Sequence, residues 1–291
     1  MIWSIGSRAT PAPAPPRPVL DLSGPKLRAA FENLVDSAEA TGGVERYVGA
    51  LALKASLFDE MLGNGQVRSL TEREFYDLAA FITPVRRRIG AFVGRSGFAA
   101  MQRRLEELLD GASDIATADV RLRLFVDSFP PDREHRWARD LGAEVLHFTA
   151  PDCYPLMTRW MWDARVNTGV LREIWHSDDA EIGGIPIADD LSTFVTLREE
   201  LTEFLRGNGV FRDMPLYVDL LCAHVYAGYV NDTGGQYLHA DFCGGAKGDP
   251  MAHTRRLLGL DAVDSETGRT RLKLIDGVAH VLGEPRRLGS S

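Results

Sequence analysis

The sequence predicts a mainly α protein, a multi-helix bundle or orthogonal array of about nine or ten helices closed by a small C-terminal β-hairpin. Three observations carry this expectation. Apolar residues recur at three- and four-residue spacing through most of the chain. Capping residues and glycines punctuate those runs where helices should begin and end. Only one place, Thr270–Ile275 and Val278–Leu282 around Asp276-Gly277, has two short alternating runs joined by a tight-turn dipeptide.

In chain order, residues 1–22 read as a disordered Pro-rich tail. Pro11, Pro13, Pro15, Pro16 and Pro18 alternate with small residues, which favours extended polyproline backbone over packing. The helical domain is expected over 23–231. Ser23 is placed to cap the first helix and Pro25 to sit in its first turn, where a missing N–H costs nothing. Leu27, Ala30, Phe31, Leu34, Val35 and Ala38 then form one apolar stripe. A second helix is expected from about Val44 to Leu62, with Tyr47, Val48, Leu51, Phe58 and Met61 inward and Gly63 as its stop.

Thr71 and Glu74 have capping-box spacing, and Leu70 and Phe75 are placed as a hydrophobic staple. Pro84 then predicts a kink or break. Further helices are expected over about Gly97–Leu109, capped by Ser96, and about Ala118–Ser128. Another, capped by Asp132, has a face of Trp137, Leu141, Val145 and Phe148. Arg136, Asp140, Glu144 and His147 lie on its opposite side at a spacing suited to solvent-facing ion pairs.

The stretch His147–Asp163 holds Trp160 and Trp162 among prolines and apolar residues. It reads as a turn followed by a short helical run from Leu156, a hinge of the core. Thr168 and Ser192 are expected to cap further helices, and Asp213 and Pro215 to open a long one to about Val230. Residues 232–291 read as a Gly-rich loop, a short helix after Asp249-Pro250 and the hairpin, packed on the helical domain.

Composition bounds the function. A net charge of −8 opposes non-specific binding to nucleic acid and to anionic membrane. Charge is uneven: Pro84–Arg139 holds eleven arginines against eight acids, whereas His176–Asp219 holds ten acids against three arginines. That polarity suits docking to a protein partner. Three widely separated cysteines, Cys153, Cys222 and Cys243, do not form a disulfide framework and fit a reducing cytoplasm. No apolar run approaches membrane-spanning length.

The leading candidate site is the loop from His239 to His253. His239, Asp241, Cys243 and Lys247 precede a helix start that carries His253, Arg255 and Arg256. Flexible backbone feeding a helix N-terminus beside cations suits a small anionic ligand. The pattern is neither a Walker loop nor a dinucleotide fingerprint, and it names no cofactor. The expected role is therefore a soluble cytoplasmic binding or accessory protein that docks a protein partner or a small anionic ligand.

Two enzyme readings stand beside it. Cys222, His224, His239, Asp241 and Cys243 are ligand types that a metal-dependent enzyme uses, although no metal-site spacing is present. Trp160, Trp162, Tyr154 and the arginines at 86–88 suit base stacking and phosphate contacts. The segment Leu146–Asp163, a helix ending at His147-Phe148 and followed by Tyr154-Pro155, resembles the corresponding turn in helix-hairpin-helix DNA glycosylases. The family's Gly-rich hairpin is absent. The resemblance implies a glycosylase-like helical enzyme, with Asp163 or Asp219 placed in the acidic role by position only.

Overall fold

The structure, a computed structural model, describes residues 17–176, 184–233 and 249–262, together with the backbone of two short strands, Leu272–Ile275 and Val278–Val281. The Asp276-Gly277 turn expected between those strands lies outside the described residues. So do most of the tail and the Gly-rich loop.

The described residues are mainly helical. Among the described residues there are twelve α-helices, against the nine or ten expected, and the apolar run on either side of Pro84 divides into three of them. In chain order they are α1 (Gly24–Glu39), α2 (Val44–Leu62), α3 (Glu72–Ala79), α4 (Thr83–Arg86), α5 (Ile89–Ser96), α6 (Phe98–Leu109) and α7 (Ala118–Asp127). Then come α8 (Trp137–Thr149), α9 (Val170–Glu173), α10 (Leu191–Gly207), α11 (Met214–Thr233) and α12 (Ala252–Leu257). Among the described residues no helix is long and apolar enough to cross a membrane.

Local chemistry accounts for several helix ends. Ser23 accepts from the Lys26 N–H, and Pro25 lies in the first turn of α1. Thr71 and Glu74 exchange both bonds of the capping box. Pro84 starts the single turn of α4 rather than kinking a longer helix. Four expected caps move, the first at α9, where Gly169 rather than Thr168 holds the N-cap position with no capping side chain. Asp190, not Ser192, accepts the Thr193 N–H at the start of α10. Gly97, with φ near +80°, ends α5 and opens α6, while Ser96 donates back to the Phe92 carbonyl. Asp132 holds the His135 N–H in a turn before α8, and the helix itself begins at Trp137 without a capping side chain.

Helix α8 is the axis of the core. From Trp137 to Phe148 every residue except Arg139 is buried. It packs on α2, α4, α6 and α7. At Gly142 an added Cβ would lie 2.7 Å from Leu122, so the absent side chain is what lets α7 approach.

This burial corrects the expected solvent-facing row on α8. Asp140, Glu144 and His147 are all enclosed, and each meets a partner from another segment. Glu144 accepts from Lys54 at 2.7 Å, and Lys54 also donates to the carbonyls of Phe81 and Leu258 while lying over the Phe148 ring. His147 donates its Nδ1–H to the Tyr154 carbonyl, and its Nε2 lies 2.7 Å from the Asp219 carboxylate, within hydrogen-bond reach. Buried charge of this kind persists only when every member is bonded.

The central stretch carries no helix from Leu156. Residues 158–171 instead form a closed loop. Asp163 and Thr168 exchange backbone hydrogen bonds, and the Val170 and Leu171 N–H groups donate to Trp160 and Met161. Gly169 stands where any Cβ would lie within 2.9 Å of the Met161 backbone. Residues 21–23 run alongside this region, bonded to Ile174 and His176.

Candidate ligand cleft

The folded chain brings together two stretches that share one pattern. Arg136-Trp137-Ala138-Arg139-Asp140 opens α8, and Arg159-Trp160-Met161-Trp162-Asp163 lies in the closed loop. Each reads Arg-Trp-x-x-Asp. All six of the shared residues line a single cleft of about 340 Å³. Thr83, Pro84, Arg87 and Arg88 from the α4–α5 corner complete one wall. Tyr226 and Val230 of α11 and Leu257 of α12 form the other.

The two stretches are cross-linked in one direction. Asp140, 2% exposed, accepts from Arg159 three times: from its backbone N–H, from Nε and from Nη2 at 2.7 Å. Burial opposes the Arg159 charge, but the adjacent Asp140 outweighs it and holds the guanidinium above the ordinary arginine range. The reciprocal pair does not form. Among the described residues no hydrogen bond or ion pair reaches the Asp163 carboxylate, which is 9% exposed, or the exposed Arg136 side chain.

Four guanidinium groups therefore face two carboxylates in the cleft. One of the four, Arg159, is neutralised by Asp140. The rim positions Arg87, Arg88 and Arg136 are solvent-exposed. Arg88 has only a 3.4 Å contact to the Glu134 carbonyl, a neutral acceptor. The uncapped first turn of α8 opens onto the same space and adds its dipole to the positive rim.

The apolar wall is aromatic. The Trp160 and Tyr226 rings lie 6.1 Å apart, and Tyr229 follows at 5.7 Å. Burial, then Tyr229 and Asp140, push the Tyr226 hydroxyl up to about 12, so it stays a neutral donor at ordinary pH. Chemically the cleft offers fixed cations, an aromatic face, a phenol O–H and a buried carboxylate.

The residues singled out in the sequence fall differently. His239, Asp241, Cys243 and Lys247 lie outside the described residues. His253, Arg255 and Arg256 lie on α12, where Arg255 pairs with Asp249 and Arg256 reaches Asp261 at 4.0 Å. Both cations thus face carboxylates of their own segment. His224 is held at both ring nitrogens, by Thr254 at 3.1 Å and Asn33 at 2.7 Å, and Cys222 is buried. Among the described residues no group of three or more His, Cys, Asp and Glu side chains is disposed to hold a metal ion.

The stacking set divides as well. Arg87, Arg88 and Trp160 reach the cleft. Arg86 turns inward to Asp261 at 3.0 Å. Trp162 is enclosed and donates to the Ile187 carbonyl, and Tyr154 is enclosed with its hydroxyl on the Ala112 carbonyl. Asp219 is bonded to His147 and remote from the cleft lining. Arg136, Asp140, Arg159 and Tyr226 escaped the sequence reading of the site, and Asp163 entered it only in the acidic role that the glycosylase resemblance implies. The signal that finds them is the repeated Arg-Trp-x-x-Asp pattern. No family model, curated protein or solved structure matches the chain.

Proposed function

We propose that this chain is a binding or accessory protein that takes a small anionic ligand in the Arg-Trp-x-x-Asp cleft. One observation carries the reading. Two separate stretches deliver the same Arg, Trp and Asp to one concavity, at whose rim the exposed Arg88 and Arg136 pair with neither Asp140 nor Asp163. Guanidinium forks match phosphate and carboxylate oxygens, and the Trp160–Tyr226 wall suits an apolar or planar portion of the same molecule. A reducing cytoplasm remains the expected compartment, on cysteine usage.

The test is thermal shift and calorimetry with inorganic phosphate, pyrophosphate and small carboxylates. A ligand at about 100 times its Kd should stabilise the protein by roughly 2.7 kcal/mol, a shift of several degrees. The paired change Arg88→Gln, Arg136→Gln should abolish that shift without lowering the ligand-free melting temperature, because both side chains are exposed. An equal response in the variant removes the cleft from consideration.

A further inference from the structure

The unmatched pair in the cleft specifies more than an anion. Arg159 and Asp140 neutralise one another. What stays open is the complementary couple, Arg136 at the rim and Asp163 in the wall. The Asp163 residue is nine-tenths enclosed, yet its carboxylate accepts no hydrogen bond from the described residues and its oxygens are not sealed off, so they face the open cleft. Its backbone is fixed by the Asp163–Thr168 bridge, which anchors the carboxylate in the cleft wall. Arg159 acts on it only at longer range, since its guanidinium is committed to Asp140.

Resting on the reading of the cleft as an anion site, we infer that the ligand is a small zwitterion. Its anionic group meets Arg136 and Arg88 at the rim, and its ammonium or other cationic N–H group meets the Asp163 carboxylate beside Trp160 and Tyr226. The aromatic wall supports this assignment, because Trp and Tyr faces attract cations as well as apolar groups. A ligand with an anion alone would satisfy the rim and leave Asp163 as it is. A ligand with a cation alone would enter past the exposed guanidinium groups of Arg88 and Arg136, of its own sign. Only a molecule carrying both completes the charge pattern that the two repeats begin.

Matched probes separate the two levels of the proposal. Phosphoethanolamine is compared with ethyl phosphate, and γ-aminobutyrate with butyrate, by calorimetry on the full chain. The pairs distinguish a phosphate from a carboxylate as the anionic group. The ammonium-bearing member of one pair should bind about tenfold more tightly or better, the worth of one charge-assisted hydrogen bond. Asp163→Asn, which keeps the shape and removes the charge, should bring both members of that pair to the same affinity while leaving the melting temperature of the ligand-free protein unchanged. Equal binding of both members to the wild type overturns the zwitterion and leaves the anion cleft standing. An undiminished preference in Asp163→Asn also overturns it. Failure of all four probes overturns the anion reading itself.

Discussion

Lys54 and Glu144 meet at 2.7 Å with 0% and 3% of their side chains exposed, the most enclosed ion pair among the described residues. Burial drives the lysine pKa down and the carboxyl pKa up, and their mutual contact is the largest effect opposing this. Removing one partner strands the other. Lys54→Met and Glu144→Leu should each cost about 3–5 kcal/mol in urea denaturation. The double variant should cost clearly less than the two singles together. It should stay below the wild type, because the Phe81 and Leu258 carbonyls lose a donor. Strict additivity would show that the pair is not coupled.

His224 predicts an acid limb of stability. Burial depresses its pKa to about 4 from an ordinary 6.5, and its two hydrogen bonds suit a neutral ring. Below pH 6.5 the unfolded chain takes the proton first, so this contribution is whole above pH 6.5 and lost as pH falls toward 4. It amounts to about 3 kcal/mol at most. Glu144 works in the opposite sense, since its raised carboxyl loses stabilisation as pH rises. The difference between wild type and His224→Gln isolates the histidine: it should shrink steadily from pH 7 to pH 4. A constant difference would contradict the assignment.

Gly259 and Gly97 separate two roles of glycine. Both have φ in the left-handed region, +71° and +80°. A Cβ on Gly97 meets nothing, whereas one on Gly259 would fall 1.6 Å from the Phe81 carbonyl oxygen, the same oxygen that Lys54 engages. Gly97→Ala should cost about 1–3 kcal/mol for its backbone alone, since φ +80° with ψ 145° is close to a glycine-only conformation. Gly259→Ala should cost at least about 2 kcal/mol more, as steric overlap is added to backbone strain. Equal costs in chemical denaturation would refute the close approach.

The described cysteines should label unequally. Cys153 is exposed, while Cys222 is buried with its thiol pushed well above the ordinary range by burial and then by Asp219. Iodoacetamide followed by peptide mass spectrometry should modify Cys153 in the native protein and Cys222 only after unfolding. Native labelling of Cys222 at a comparable rate would count against the packing of α11.

Much of the helical order was legible because its causes are local. The Thr71–Glu74 box, the Ser23–Pro25 start and the Gly63 stop each depend on a few neighbouring residues, and each forms as expected. What failed was direction. Asp140, Glu144 and His147 share a spacing that serves a solvated face as readily as a buried row. Their partners Arg159, Lys54 and Asp219 lie 19, 90 and 72 residues away. Lys54 likewise sits on the apolar stripe of α2 between Leu51 and Phe58, where its charge gave no sign that it faces inward. The cleft was half legible: Arg87, Arg88 and Trp160 were marked as stacking and phosphate-contact residues, but periodicity has no means of joining α8 to a loop twenty residues on.

The Lys54 ammonium group also sets an order on the making of the protein. Its acceptors arrive at positions 81, 144 and 258, the last 204 residues after the lysine. A ribosome delivers α2 and α8 long before the Leu258 carbonyl emerges. Through that interval the amine has an unfinished set of bonds and a reason to stay hydrated. The Lys54 amine thus gains its full set of acceptors only when the segment carrying Leu258 docks, so the centre of the molecule is completed by residues far apart in the order of synthesis.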